Sequence, residues 1–291
     1  MATMSRDAVE TRVFGVLRVV TIVFLLAITI FPFYYTGLLS LRPLDRVLQD
    51  PGALWVPPSE LDLSSYGSVV APPSAGGQGF LGFIVNSALV ALGTVAVTLL
   101  IALPGAYAVS RLRFFGHRQV GVLFLAVYLF PPILLAVPLF VFFTQVGLRG
   151  TLVGLLIVYV SQVVAVSIYM LRNYFDTVPV SLEEAAAIDG CTRLGVLRRI
   201  SLPLAMPAII ANALFIFMIA WNEFLFALLF LIEERDRWTV SLGLSQLAGS
   251  IEIPTTVLMA GSVIVTIPVV VVFFASERLL TEGLTAGAEK G

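Results

Sequence analysis

Charge is missing from long stretches of this chain. Six intervals, 19–41, 80–110, 119–148, 150–171, 200–232 and 253–276, contain no Lys, Arg or Asp and a single Glu, Glu223. About 20 helical residues cross the ~30 Å hydrocarbon layer of a bilayer, and each interval is long enough. None alternates with a period of two, which disfavours a β-barrel. In lipid every backbone N–H and C=O needs a partner within its own segment, so the intervals are read as helices. The expectation is an all-α polytopic protein with six transmembrane helices. Pro131, Pro132 and Pro138 fall within the third interval. They remove backbone donors there and are expected to bend it, either as a gate or as a kinked wall.

The first interval follows Arg6, Arg12 and Arg18 and could imitate a secretory signal. Signal-peptide cores are about 7–15 residues long. This one is longer and ends in Tyr34, Tyr35 and Thr36 without a small-residue cleavage site, so it is read as a retained helix.

Composition agrees with the pattern. Of 291 residues 59% are hydrophobic and 12% charged, against about 25% charged in an average soluble domain. A soluble enzyme, a nucleic-acid-binding domain and a disordered chain are excluded. The net charge of −1 names no partner, but the positions of the cations are informative. With the N-terminus inside, 12 Lys and Arg lie in inner segments and 5 in outer ones. Positive residues favour the cytosolic side, so both termini are placed in the cytosol. The outer loops are then 42–79, the turn at Arg149 and 233–252; the inner loops are 111–118 and 172–199.

Several chemistries lack their residues. One cysteine, Cys191, allows no intrachain disulfide, and one histidine, His117, allows no two-histidine metal motif. The only lysine, Lys290, is followed by Gly291, so no phosphate-binding Gly-Lys-Ser/Thr loop exists. No catalytic residues and no metal or cofactor site are expected in this chain. Any ATP-driven work belongs to another polypeptide.

The inner loop between the fourth and fifth intervals carries the densest signal. Ser181 with Glu184 three residues on reads as a capping box, Ala185 to Ala187 are strong helix formers, and Gly190 supplies a left-handed stop. A second helical stretch, 192–199, leads to Pro203. A short interfacial helix touching lipid headgroups would look much the same.

The order of residues narrows the choice. Glu184-Ala185-Ala186, then Gly190, nine residues and Ile200-x-Leu202-Pro203 resembles the EAA signature of ABC-importer permeases. Pro58 to Tyr66, Asn86-Ser87, Ala220 to Phe224, Thr239 to Leu244 and the tail 283–291 resemble segments of the carbohydrate-uptake branch, covering the chain from about residue 15 onward. Glu289 and Cys191 depart from the residues commoner in that family.

The resemblance implies a type I permease: a cytosolic N-terminus at 1–18, a transmembrane domain at 19–278 with a coupling-helix loop at 173–203, and a cytosolic tail at 279–291. It implies a second, related permease subunit, two ATPase subunits that hold ATP and Mg, an extracytoplasmic sugar-binding protein, and a prokaryotic plasma membrane. Leu182, Glu183, Glu184, Ala185, Ala186, Ile188, Asp189, Gly190, Leu194 and Leu197 become the residues that couple to the ATPase. Gly287, Ala288 and Lys290 mark a tail that inserts between the ATPases or stays frayed. Gln246, Gly249 and Ser250 lie in an outer loop that probes the binding protein or is simply solvated. Asn212, Asn222 and Glu223 are candidates for the translocation path; Glu223 has the plainer option of facing water or neighbouring polar groups. The competing classes are an ion-coupled secondary transporter, for which Glu223 is the one candidate coupling acid, and a membrane-embedded enzyme.

Overall fold

The computed structural model describes residues 6–112 and 114–288, and among these all regular structure is helical. The chain parts into two compact units at 78/79, 249/250 and 264/265, with 250–264 joining the N-terminal part.

The first unit begins with α1 (Arg6–Ser40), followed by α2 (Leu44–Gln49) and α3 (Ser64–Val70). From residue 13 to residue 34 every position of α1 is exposed, although almost all are apolar. Only its end is buried, where Ser40 Oγ lies 2.7 Å from the Tyr66 hydroxyl. Asp62 fixes the start of α3 by accepting hydrogen bonds from the Ser64 N–H and hydroxyl, both at 2.8 Å. Those donors hold its carboxyl below the usual carboxylate range.

The second unit holds α4 (Phe80–Arg111), α5 (His117–Leu129), α6 (Ala136–Gln145), α7 (Leu152–Phe175), α8 (Val180–Ile188), α9 (Arg193–Val196), α10 (Leu202–Leu204), α11 (Met206–Asn222), α12 (Leu225–Leu231), α13 (Val240–Gly249) and the later part of α14 (Thr255–Ala288). Its backbone is α4 packed along α7. Ala102 and Ala106 meet Ile168, Leu171 and Phe175, with Ala205 closing the cluster. Small residues on α4 allow the approach: a Cβ on Gly93 would stand 2.6 Å from Leu156 Cδ1.

Among the described residues four helical stretches are long and apolar enough to cross a membrane, Val13–Ser40, Phe80–Arg111, Leu152–Phe175 and Thr255–Glu277. The fifth interval departs from a single rod. Its segments Arg193–Leu204 and Met206–Asn222 meet at 76°, because Pro203 and Pro207 lack the N–H groups that would carry the helix through Ala205. The third interval is two helices, α5 and α6, separated by the 3-10 turn Pro132–Leu135. The prolines break this interval rather than merely bending it. The segment 239–252, expected as an outer loop, is mostly the helix α13.

Candidate functional site

The loop after α7 folds as a helix, a left-handed glycine and a second helix. Its start differs from the expected capping box. α8 begins at Val180 with Pro179 as its N-cap and no side-chain cap bond. Proline's fixed φ suits a helix start, so the helix opens one residue before Ser181, whose hydroxyl then lies inside the first turn. Gly190 has φ +85°, a value that costs a side-chain-bearing residue. The Cys191 N–H returns to the Ala186 carbonyl at 3.0 Å and closes the turn. Thr192 then caps α9 by accepting from the Gly195 N–H at 3.2 Å. The chain reaches α10 through a widened turn at Leu197–Ser201.

α8 has two faces with different chemistry. Leu182, Glu184, Ala185, Ile188, Asp189 and Gly190 face out, as does Leu194 on α9; Ile188 is 87% exposed. Glu183 and Ala186, one turn apart, face in. Leu197, expected to reach outward with Leu182 and Ile188, is buried beside Val196. The widened turn that begins at Leu197 rotates its side chain toward the core.

Glu183 ends in a network inside its own chain. Arg111 Nε at the end of α4 donates to Glu183 Oε1 at 3.1 Å, Ser201 Oγ donates to the same oxygen at 3.0 Å, and the Tyr107 hydroxyl donates to Oε2 at 3.3 Å. Arg111 also donates to the Val178 carbonyl at 2.8 Å and to Ser110 Oγ at 3.1 Å. Ser110 Oγ in turn donates to Asp176 at 2.5 Å, and Arg172 lies 3.5 Å from the other oxygen of Asp176. The Arg111 and Glu183 side chains are 10% and 9% exposed. Truncating one partner of such a buried pair strands the other charge, at about 3–5 kcal/mol.

A second feature lies at the break in the third interval. A cavity of about 610 Å³ opens among Phe130, Pro132, Ser161, Gln162, Phe215 and Phe226. Its walls are largely aromatic and aliphatic. Gln162 Nε2 is buried and has no hydrogen-bond partner among the described residues. Asn212 is fully buried, donates to Met170 Sδ at 3.6 Å, and its Oδ1 likewise lacks a partner among the described residues.

Glu223 has a local task. It interrupts the fifth interval in an extended conformation between α11 and α12. Its carboxylate accepts from the Phe226 N–H at 2.9 Å, the Ala227 N–H at 3.2 Å and the Tyr159 hydroxyl at 2.6 Å. A carboxylate at a helix N-terminus satisfies free N–H groups and meets a favourable dipole. Asn222 beside it donates back to the Met218 carbonyl at 2.8 Å.

Residues 99–285 match the family described as binding-protein-dependent transport system inner membrane component. The trehalose/maltose transport system permease protein MalG of Thermococcus litoralis is 36% identical over 279 residues, 95% of this chain and 97% of that protein. The inner membrane ABC transporter permease protein YcjP of Escherichia coli is 36% identical over 266 residues, 91% and 93% of the two chains. A crystal structure of a bacterial ABC transporter that imports the polysaccharide alginate contains a chain of the same fold, with TM-score 0.79, 25% identity and coverage of 96% and 99%. The chain belongs to this permease family. It is a multi-pass membrane subunit of an ABC importer, a transport component and not an enzyme.

In the permease, the EAA sequence and its helix are family features, and the structure divides their two acids between the chain's surface and its interior. Arg111, Tyr107 and Ser201 were not singled out from sequence. Arg111 merely ends a charge-free interval, Tyr107 and Ser201 sit inside apolar runs, and the pairing with Glu183 spans 72 residues. The i, i+3 spacing of Glu183 and Ala186 is the one local hint of an inward face. Tyr159 and Gln162 were missed for a similar reason, since nothing in an apolar helix marks which polar residue faces a cavity.

Gln246 and Gly249 are exposed at the end of α13 and Ser250 is half-buried. α13 is held to α4: Ser87 Oγ accepts from the Val240 N–H at 2.9 Å, and Asn86 Nδ2 donates to the Trp238 carbonyl at 3.0 Å. A Cβ on Gly243 would lie 2.5 Å from the Phe83 ring. Gly243→Val is expected to destabilise the permease by about 1–3 kcal/mol through overpacking, read as a lower melting temperature of the detergent-purified complex. At the other terminus α14 continues through Gly287 and Ala288, while Lys290 lies outside the described residues.

Proposed function

We propose that this permease is one half of the membrane pathway of an ATP-driven sugar importer, with a disaccharide or oligosaccharide as its solute. It pairs with a second, related permease, two ATPases that bind ATP and Mg, and an extracytoplasmic sugar-binding protein. Six spans place the N-terminal 18 residues and the tail from 279 in the cytosol, with the transmembrane domain at 19–278 between them. The observation that carries the reading is α8, a short EAA helix with Leu182, Glu184 and Ile188 exposed together on a loop between two apolar helices. Exposed apolar residues grouped with an acid suit docking into a cleft of a partner. ATPase closure moves such helices as rigid bodies and drives alternating access. The names of relatives support the solute class, since one carries trehalose and maltose.

The cavity at the break of the third interval is the segment of the path this chain supplies. Aromatic walls with a few polar groups suit sugar rings. Gln162 offers an unpaired polar atom in its wall and Asn212 a buried unpaired oxygen on α11, whereas Asn222 and Glu223 serve their own helices. The outer tip with Gln246, Gly249 and Ser250 meets the binding protein, and the tail with Gly287, Ala288 and Lys290 enters the space between the ATPases.

Reconstitution tests the reading. Vesicles holding this permease with its partner permease, ATPases and binding protein should accumulate a labelled disaccharide only with internal ATP and Mg. Omission of the ATPase should abolish uptake. Uphill uptake by this chain alone, driven by an ion gradient, would instead establish a secondary transporter.

A further inference from the structure

Glu183 and Glu184 are adjacent in sequence and opposite in space. Glu184 is exposed, whereas Glu183 is buried against Arg111, Ser201 and Tyr107. We infer that Arg111 and Glu183 form a permanent latch that fuses the coupling loop to the adjacent end of α4, so that force delivered at α8 enters the spans through this side-chain pair. The inference rests on the coupling role of α8 proposed above.

Three observations carry it. First, the backbone offers α4 no direct route. Glu183 lies 72 residues from Arg111, and the chain leaving α8 toward α11 passes a left-handed glycine, a widened turn and a 76° bend. In the other direction the segment 176–179 joins α8 to α7 and not to α4, so only side chains connect the loop to α4. Second, the side-chain route is short and branched. Glu183 accepts from three donors, and Arg111 gives two further N–H groups to the Val178 carbonyl and Ser110 Oγ. Ser110 carries the same network to Asp176 at the end of α7. The loop is therefore tied to both members of the central helix pair. Third, both charges are buried. Opening the pair during a transport cycle would strand two charges away from water, so the latch stays shut while the body it defines moves. Arg111 and Glu183 are thus positioning residues. They touch neither solute nor nucleotide, and they set what α8 can move.

The experiment uses the full importer in proteoliposomes, in a Cys191→Ser background, with assembly measured by gel filtration. Glu183→Gln keeps one acceptor oxygen, enough for Ser201 or Tyr107 but not both, and removes the charge facing Arg111. It should assemble, hydrolyse ATP with binding-protein stimulation cut at least about fivefold, and move about tenfold less sugar per ATP. The pair Arg111→Cys with Glu183→Cys should be uncoupled in the same way. A short thiol-to-thiol cross-linker bridging the two cysteines should restore sugar moved per ATP, which a merely structural contact would not do. Three results overturn the latch: Glu183→Gln with unchanged stoichiometry, a cross-linked pair that stays uncoupled or is blocked, and loss of assembly in every variant, which would make the contact structural only. If instead the parent importer shows no ATP dependence, the coupling role of α8 has failed and not the latch alone.

Discussion

Importers carrying Ile188→Asp are expected to keep a folded membrane part, to hold the ATPase more weakly and to lose ATP-dependent uptake by at least about tenfold. Ile188 is 87% exposed at the end of α8, so the folded chain gains or loses little when it changes. Its apolar surface has value only when a partner covers it. An aspartate at the centre of a docked contact must shed its water without a cation to receive it, and losses at such positions commonly reach about 2 kcal/mol or more, well over tenfold in affinity. Glu184→Lys reverses the charge beside it and should act in the same direction by refusing an arginine on the ATPase. Sugar uptake and ATP hydrolysis by the reconstituted complex, compared with its gel-filtration profile, check both. Normal uptake by Ile188→Asp would mean that α8 does not dock through this face.

Glu223→Ala should cost the permease about 3 kcal/mol of stability. Its carboxylate answers two backbone N–H groups at the start of α12 and the hydroxyl of the buried Tyr159. Loss of a helix cap costs about 1 kcal/mol, and leaving a buried donor unpaired costs a further 1–3. Glu223→Gln retains an acceptor and should lose roughly half as much. The Tyr159→Phe change in the alanine background should recover part of the loss, since it removes the stranded hydroxyl. Thermal unfolding of the purified complex reads all three. A sugar-contact role would give the reverse order of effects, with transport impaired in Glu223→Gln at unchanged stability.

Much of this was legible in the sequence, for reasons that can be stated by residue. Charge-free intervals locate helices in lipid because the penalty for burying charge there is large, and α1, α4, α7 and α14 follow them closely. Gly190 is readable because few residues but glycine take a positive φ at a helix end. The capping box expected at Ser181 does not form because Pro179 supplies an equally good start two residues earlier. The glycines and serines of 239–252 suggest a loop, yet α13 exists because Val240, Leu242 and Leu247 are buried, and tertiary burial overrides local preference. In the structure Gly150 takes φ +74°, and a Cβ on Gly154 would strike the Leu148 carbonyl, so both serve the turn into α7. What could not be read was the partner of each polar residue. The sequence shows two acids at 183 and 184 but not that one of them meets an arginine 72 positions away.

The first helix carries a consequence of its own. From residue 13 to residue 33 every position is exposed, and the first side chain to reach the rest of its unit is Tyr34, which donates to the Leu54 carbonyl. What such a segment requires is oiliness and span, not spelling. Leucine, isoleucine, valine and phenylalanine could be reshuffled along it while the mooring it gives the chain in lipid stays the same.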